Sequence, residues 1–269
     1  MRIAFIGGGN MASALIGGLT AKGTKPSSLS VVEVMPGARK RLARKKVHAS
    51  TAPDARTAAA DVVVFAVKPQ DMRAAATRLR EAVRGKLVVS VAAGIRLADL
   101  SRWLGGHREL IRCMPNTPAL IGAGITGLYA LPGVGAAAKR RADRILSAVG
   151  KTVWVKDERL LDPVTAVSAS SPAYVFWFIE QLAAAGVSLG LSIETSRKLA
   201  IEAVLGSAKL AAQSKEPPSV LRERVTSRGG TTEAALRVFA EEGLAERFRR
   251  AVEAASRRGA EMGAMFGKD

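Results

Sequence analysis

The 269-residue sequence has one cysteine, Cys113, two histidines and two asparagines. A single cysteine forms no internal disulfide, and this set of residues gives no support for a zinc site. Aromatic residues make up only 4% of the chain. The interleaved aromatic side chains that a single-stranded nucleic-acid surface uses are therefore missing. We predict no disulfide scaffold, no metal site and no nucleic-acid partner.

Acidic residues are scarce in the first part of the chain. Residues 1–160 hold 27 Lys and Arg against 10 Asp and Glu, so they carry +17 of the net +18. This excess indicates either an anionic ligand or compositional drift, and both readings stay open.

Long apolar segments are also missing. The most membrane-like segment, residues 172–191, has Glu180 and Gln181 at its centre, where a charge is costly in a bilayer. The N-terminus has no targeting pattern. We expect no membrane partner and a cytoplasmic location.

The chain contains enough apolar residues, 48%, to bury a core, and its length suggests two domains. Up to residue 155, short β-rich runs alternate with helical patterns, which predicts a doubly wound parallel sheet. From residue 158 the patterns are helical only. We place domains at 1–160 and 161–269. The predicted strands are 2–7, 29–34, 62–67, 87–91, 110–114, 124–129 and 152–155.

A glycine-rich turn follows the first strand directly. Gly7, Gly9 and Ala12 form the pattern G-x-G-x-x-A and open the first helix. Gly7 permits a tight turn, Gly9 lets the backbone approach a pyrophosphate, and Ala12 allows close packing of helix on strand. The context predicts a dinucleotide site.

The residues after the second strand give conflicting signals about the coenzyme. Glu33 lies where an acidic side chain accepts a hydrogen bond from the ribose 2′-hydroxyl of NAD. The basic runs 39–41 and 44–46 follow at once and supply charge for the 2′-phosphate of NADP. The sequence therefore leaves open whether the chain uses NAD, NADP or both. It also leaves open whether the basic runs are only a solvated helix face.

Further motifs fall where strands or helices end or begin. Residues 66–70 and the rigid turn containing Asn116, residues 114–118, follow predicted strands and line the expected cleft. In the helical half, residues 168–174 begin a helix at Pro172. In residues 226–233 a glycine pair is followed by two threonines and a glutamate at a helix start, which predicts a site for a carboxylate-sized anion.

Five motifs in this order resemble the pyrroline-5-carboxylate reductase family over essentially the whole chain. They are residues 7–12, 67–70, 114–118, 170–176 and 227–232. The resemblance implies an α/β, Rossmann-like N-terminal domain followed by an all-helical dimerisation domain. It implies reduction of the C=N bond of 1-pyrroline-5-carboxylate to L-proline by NADPH or NADH. It also implies a homodimer whose interlocked helices complete the active site, and in some members a decamer.

The resemblance also assigns roles to individual residues. Thr232 and Ser227 are expected to act in catalysis, with Thr232 as a donor that orients the imine nitrogen. The residues expected to bind substrate are Ser171, Gly229, Gly230, Thr231 and Thr232. The residues expected to bind coenzyme are Ile6, Gly7, Gly8, Gly9, Asn10, Met11, Glu33, Ala66, Val67, Lys68, Pro69 and Asn116.

Two departures and two alternatives qualify this interpretation. Ala169 stands where the family usually has Gly, and Arg228 stands where the family commonly has Pro or Lys. A β-hydroxyacid dehydrogenase shares the layout but needs a lysine base, and residues 165–181 contain none. A non-catalytic NAD(P) sensor would leave residues 227–232 without a role. The sequence leaves the coenzyme preference and the choice of dimer or decamer open.

Overall fold

A computed structural model describes residues 1–267 of the chain. The chain forms two compact units, which are described separately. The first contains Met1–Ser170 together with the described residues from Ala254 onward, and the second is Ser171–Glu253. The domain boundary at residue 160 rests on sequence composition and stays a prediction.

The first unit is built on an eight-stranded sheet. Its strands are β1 (Ile3–Ile6), β2 (Leu29–Val32), β3 (His48–Ser50), β4 (Val62–Phe65), β5 (Leu87–Ser90), β6 (Leu110–Met114), β7 (Gly124–Ala130) and β8 (Gly150–Trp154). Their order is β3-β2-β1-β4-β5-β6-β7-β8. All neighbours are parallel except β6 and β7. The first six strands have the order typical of a doubly wound dinucleotide-binding sheet, so the predicted fold class is confirmed.

Helices cover both faces of this sheet. They are α1 (Asn10–Ala21), α2 (Pro36–Arg44), α3 (Ala55–Ala58), α4 (Met72–Leu79), α5 (Leu97–Trp103), α6 (Ala136–Leu146) and α7 (Leu161–Val164). Successive side chains of a strand point to opposite faces. Phe5 of β1 accordingly lies in the core that includes α1 and α6, and its neighbour Ile6 lies in the core that includes α4 and α5. Burial on both faces explains the continuous apolar runs of the parallel strands.

The regular structure of residues 171–253 is entirely helical. The helices are α8 (Ser171–Ser188), α9 (Ile193–Gln213), α10 (Pro218–Arg224), α11 (Thr231–Glu241) and α12 (Leu244–Phe266), the last of which ends in the first unit. Within residues 1–267, no helix has both the length and the apolar character needed to cross a bilayer.

Asp54 provides a test of local stability in the first unit. Its carboxylate accepts the N–H groups of Arg56 and Thr57 at the start of α3 and lies 2.6 Å from Nε2 of His48. Burial raises the pKa of Asp54, but the Thr57 N–H and His48 outweigh burial, so the net pKa is lowered from its ordinary value of 3.8. The ionised cap therefore stabilises the fold above that value and is lost as the pH falls below it.

We expect Asp54→Ala to lower the free energy of unfolding at neutral pH by about 0.5–2 kcal/mol, because the helix loses its N-cap. Urea denaturation at neutral and acidic pH measures the loss, which should shrink below the lowered pKa. The matched control is Asp71→Ala, because Asp71 precedes α4 without a side-chain cap bond. An equal loss in both variants would contradict the capping role.

Candidate functional site

The carboxyl ends of β1, β2 and β4 meet at one edge of the sheet. In the register, Ile6 pairs with Val32 on one side and with Phe65 on the other. The chain continues from β1 to β2 on one side and later crosses from β3 to β4 on the other, so this edge is the topological switch point where open α/β sheets bind ligands. Gly7, Glu33 and Ala66 follow these strands, and the structure brings them together there.

In the glycine turn after β1, Gly7 packs closely against neighbouring backbone, whereas Gly9 borders open space. Gly7 has a φ of +95°, and a Cβ there would lie 2.7 Å from the carbonyl oxygen of Ala66. A Cβ at Gly9 would meet no atom within 4 Å. The packing of the described chain therefore does not require a glycine at position 9. The free space above Gly9 fits a group that approaches the backbone closely.

The start of α1 supplies donors for that group. Gly9 is the N-cap, and no side chain caps the helix. The N–H groups of Asn10 and Met11 in the first turn consequently have no intrahelical acceptor, and the helix dipole favours an anion there. Open space beside uncapped N–H groups fits the pyrophosphate of a dinucleotide. These residues would hold the coenzyme by its phosphates.

Glu33 is turned toward the glycine turn. Its Oε2 accepts the N–H of Gly8 at 2.6 Å, and its Oε1 accepts the N–H of Met35 at 2.7 Å. The residue is only 9% exposed. Both carboxylate oxygens are therefore already bonded to the backbone, an arrangement that the sequence did not indicate.

The turn after β4 forms the other wall of this edge. The N–H of Ala66 donates to the carbonyl of Ile6 at 2.8 Å, which joins the two turns. Lys68 is exposed, and Pro69 begins a short 3₁₀ turn. The contacts of Ile6, Val67, Lys68 and Pro69 with coenzyme stay predictions.

Asn116 joins two motifs that lie 52 positions apart in the sequence. Its side-chain oxygen accepts the N–H of Ile125 at 2.9 Å, and its side-chain nitrogen donates to the carbonyl of Ser168 at 3.1 Å. The residue is 8% exposed. Asn116 therefore links β7, through Ile125, to the segment that contains Ser168. Its contact with coenzyme stays a prediction.

The segment that Asn116 holds contains a π-helical turn, Thr165–Ala169. The N–H of Ser170 reaches back to the carbonyl of Thr165. Single π turns inside helices are frequent at functional sites. The turn leads into α8, whose first residue, Ser171, is a predicted substrate contact.

A buried ion-pair cluster anchors the same segment. The guanidinium of Arg112, on β6, lies 3.1 Å from Glu158 and 3.7 Å from Asp162. The carboxylate of Glu158 also accepts the N–H of Leu97 at 2.8 Å. The sequence analysis missed this cluster, because 46 residues separate Arg112 from Glu158 and no local pattern links them.

Four of the predicted substrate residues, Gly229, Gly230, Thr231 and Thr232, lie at the start of α11, whereas Ser171 begins α8. Gly230 is the N-cap, and no side chain caps the helix, which leaves the N–H groups of Thr231 and Thr232 without intrahelical acceptors. The N–H of Gly229, by contrast, donates to Glu233 at 2.7 Å. Ser227 packs so closely that a Cβ at Gly230 would lie 2.5 Å from its hydroxyl oxygen. Thr232 is half-buried at this anion-favouring helix end.

The only cysteine does not contribute a nucleophile to either unit. Cys113 is fully buried, and burial, with the nearby charge of Asp143, raises the pKa of its thiol. A thiol in this environment stays protonated and unreactive. Among residues 1–267, no group of three or more His, Cys, Asp or Glu side chains is arranged to hold a metal ion.

Comparison with known families matches both parts of the chain. Residues 158–262 match the family described as pyrroline-5-carboxylate reductase dimerisation, and residues 2–94 match the one described as NADP oxidoreductase, coenzyme F420-dependent. The pyrroline-5-carboxylate reductase of Pseudomonas aeruginosa is 46% identical over 274 aligned positions, which cover 99% of this chain and 98% of the relative. The Arabidopsis thaliana enzyme is 37% identical over 97% and 95%.

Solved structures agree with these sequence relatives. A pyrroline-5-carboxylate reductase from Coxiella burnetii has a TM-score of 0.92 and 37% identity, covering 97% of this chain and 98% of that one. A Plasmodium falciparum pyrroline carboxylate reductase, solved with NADP bound, has a TM-score of 0.86 and 28% identity, covering 98% of both chains. Identity of this extent over the full length settles the family, and the chain belongs to the pyrroline-5-carboxylate reductases.

Proposed function

We propose that this chain reduces the C=N bond of 1-pyrroline-5-carboxylate to L-proline with NADPH or NADH as hydride donor. Full-length similarity to reductases of that name carries the proposal. The open glycine turn of the first unit and the uncapped start of α11 in the second each support it, because a dinucleotide and a carboxylate both need anion sites.

The start of α11 is proposed to hold the substrate carboxylate. The N–H groups of Thr231 and Thr232 point out of the first helical turn, where a negative charge is favoured. The carboxylate of Glu233 lies in the same turn, but it is bonded to the N–H of Gly229. The two threonine N–H groups thus remain for the ligand, with the Ser227 hydroxyl nearby.

The chemistry asks little of side chains. The C=N bond takes up a hydride at carbon and a proton at nitrogen, which gives a secondary amine. A bound reduced nicotinamide supplies the hydride. A protonated cyclic imine is already a good acceptor, so positioning dominates, and its benefit reaches at most about 7–11 kcal/mol. The Thr232 hydroxyl, a poor acid, is proposed to orient the imine nitrogen, as a donor to the neutral imine and as an acceptor from the N–H of the protonated imine.

The assay that tests the proposal follows loss of NADPH or NADH absorbance on addition of 1-pyrroline-5-carboxylate, with L-proline identified as the product. Turnover that depends on the imine is expected. Absence of turnover with both coenzymes would overturn the proposal. Turnover of a β-hydroxy acid without turnover of the imine would favour a dehydrogenase instead.

We expect Thr232→Ala to lower kcat/KM by about 1–3 kcal/mol in transition-state free energy, because one polar contact to the reacting nitrogen is lost. Steady-state kinetics measure the change. Thr232→Ser keeps the hydroxyl and serves as the matched variant, for which most of the activity should remain. Unchanged kinetics in Thr232→Ala would remove this residue from the mechanism.

A homodimer is proposed as the basic assembly. Phe176, Trp177 and Phe178, consecutive on α8, are 63%, 55% and 44% exposed in the single chain. Exposed aromatic side chains of this size mark a protein interface, and this helix lies in the part that matches the dimerisation family. Sedimentation velocity should give a dimer or a larger assembly of dimers, such as a decamer. A monomer at micromolar concentration would contradict this proposal. The dimer is proposed to work in the cytoplasm.

A further inference from the structure

Arg39 occupies the edge of the coenzyme cleft in a distinctive way. One of its nitrogens, Nη1, donates to the carbonyl oxygens of Glu33 at 2.9 Å and Val34 at 2.7 Å. These two carbonyls belong to the residues that directly follow β2. The contacts fix the guanidinium at the carboxyl end of β2.

The rest of the guanidinium is left for a ligand. Its Nε and Nη2 donate to no atom of residues 1–267, and Arg39 is only partly buried. A guanidinium has five N–H donors in a planar fork that matches the oxygens of a phosphate. Arg39 therefore presents an anchored fork with most of its donors unused.

The surroundings of Arg39 favour an anion that carries an adenosine. The first turn of α2 contains no acidic residue. The carboxylate of Glu33, which lies against the glycine turn, has both oxygens bonded to the N–H groups of Gly8 and Met35. The side chains of Val34 and Met35 are 67% and 63% exposed, which leaves apolar surface beside the fork for a purine.

We propose that Arg39 binds the 2′-phosphate of NADPH and makes this chain prefer NADPH to NADH, while Glu33 holds the glycine turn instead of the ribose. The proposal rests on the proposed use of a nicotinamide coenzyme. Its logic follows the general alternative at this position, in which an acidic residue takes the 2′-hydroxyl or an arginine takes the 2′-phosphate. Here the acidic residue is engaged by the backbone and the arginine is not.

The test is calorimetric titration without imine, so that its outcome does not depend on the reductase activity. Adenosine 2′,5′-bisphosphate and AMP differ only in the 2′-phosphate, and NADPH and NADH form the second pair. Wild-type protein is expected to bind the 2′-phosphorylated member of each pair about tenfold to a hundredfold more tightly, the range for a charge-assisted contact. Equal affinities in wild type would overturn the proposal.

Arg39→Gln should abolish this preference and leave the affinities for AMP and NADH unchanged, which also reports that the glycine turn is intact. Arg44→Gln, which removes the same charge from the exposed last turn of α2, is the matched control and should keep the preference. Arg39→Lys keeps the charge without the fork and should fall between them. A preference that survives Arg39→Gln would overturn the assignment.

Glu33→Gln separates the two roles open to Glu33. If the carboxylate holds the Gly8 N–H, both coenzymes should bind more weakly by a similar factor. A loss confined to NADH would show that Glu33 reads the ribose and would contradict the proposal. Imine turnover by a protein without coenzyme preference would leave the proposed function standing while this inference fails.

Discussion

Replacing Arg112 by leucine is expected to lower the free energy of unfolding by about 3–5 kcal/mol, because it leaves two carboxylates in the interior without their cation. The Arg112 side chain is 5% exposed, and those of Glu158 and Asp162 are 20% and 12% exposed. The Leu97 N–H would remain as a donor to Glu158, but Asp162 would lose its guanidinium contact. Urea denaturation measures the loss.

The control for Arg112→Leu is a substitution in an exposed ion pair that follows β8. Arg159 contacts Asp157 at 2.6 Å, with its side chain 82% exposed. We expect Arg159→Leu to leave the unfolding free energy nearly unchanged, since exposed pairs contribute little. Similar losses in both variants, or a loss below about 1 kcal/mol in Arg112→Leu, would contradict the role assigned to the buried cluster.

A second contact, from Asn116, adds to the same cluster. Arg112 holds the segment containing Glu158 and Asp162, and Asn116 holds Ser168 a few residues later. Both contacts hold the segment of the first unit that ends at Ser170, directly before the predicted substrate residue Ser171 in the sequence.

Most elements were accessible from sequence because their signals are local. The parallel strands are continuous apolar runs bounded by glycine and polar residues, and the helices after residue 170 begin and end at glycine, proline and serine. Strand β3, His48–Ser50, was missed because it has three residues, all of them only half-buried. Its place at the sheet edge comes from pairing with β2, which no local pattern records.

Local patterns also placed the motifs correctly at strand and helix ends but left their side-chain partners open. Glu33 has the spacing of a ribose-binding residue, yet its carboxylate is bonded to the backbone of the glycine turn. Arg39 lies in a basic run, and nothing in the sequence distinguishes it from the neighbouring Lys and Arg residues as a phosphate ligand. The distinction depends on which donors are already used, and that is a property of the folded chain.

The antiparallel strand β7 shows the same limit. Its residues were predicted as a strand, but the sequence expectation was a parallel sheet throughout. The turn from β6 to β7 contains a left-handed residue, Gly122 with a φ of +74°, and returns the chain beside β6. The reversal is set by this short connection, because parallel neighbours need a longer crossover.

Substitution of alanine at Gly7 and at Gly9 should separate folding from coenzyme binding. Gly7→Ala places a Cβ 2.7 Å from a backbone oxygen of Ala66 in a region of φ that side chains avoid. We expect a loss of about 2–5 kcal/mol in unfolding free energy from backbone strain and overpacking. Coenzyme binding should fail with it, since the turn between β1 and α1 must move.

Gly9→Ala is expected to leave the fold intact and still abolish tight coenzyme binding. Its Cβ would meet no atom of the described chain, its φ is −68°, and the loss of a glycine N-cap costs less than about 1 kcal/mol. The methyl group would occupy the space into which the pyrophosphate must come. Thermal unfolding and calorimetric titration with NADPH, performed on both variants, distinguish the effects. Wild-type affinity in Gly9→Ala would show that the dinucleotide does not approach this backbone and would contradict the site described above.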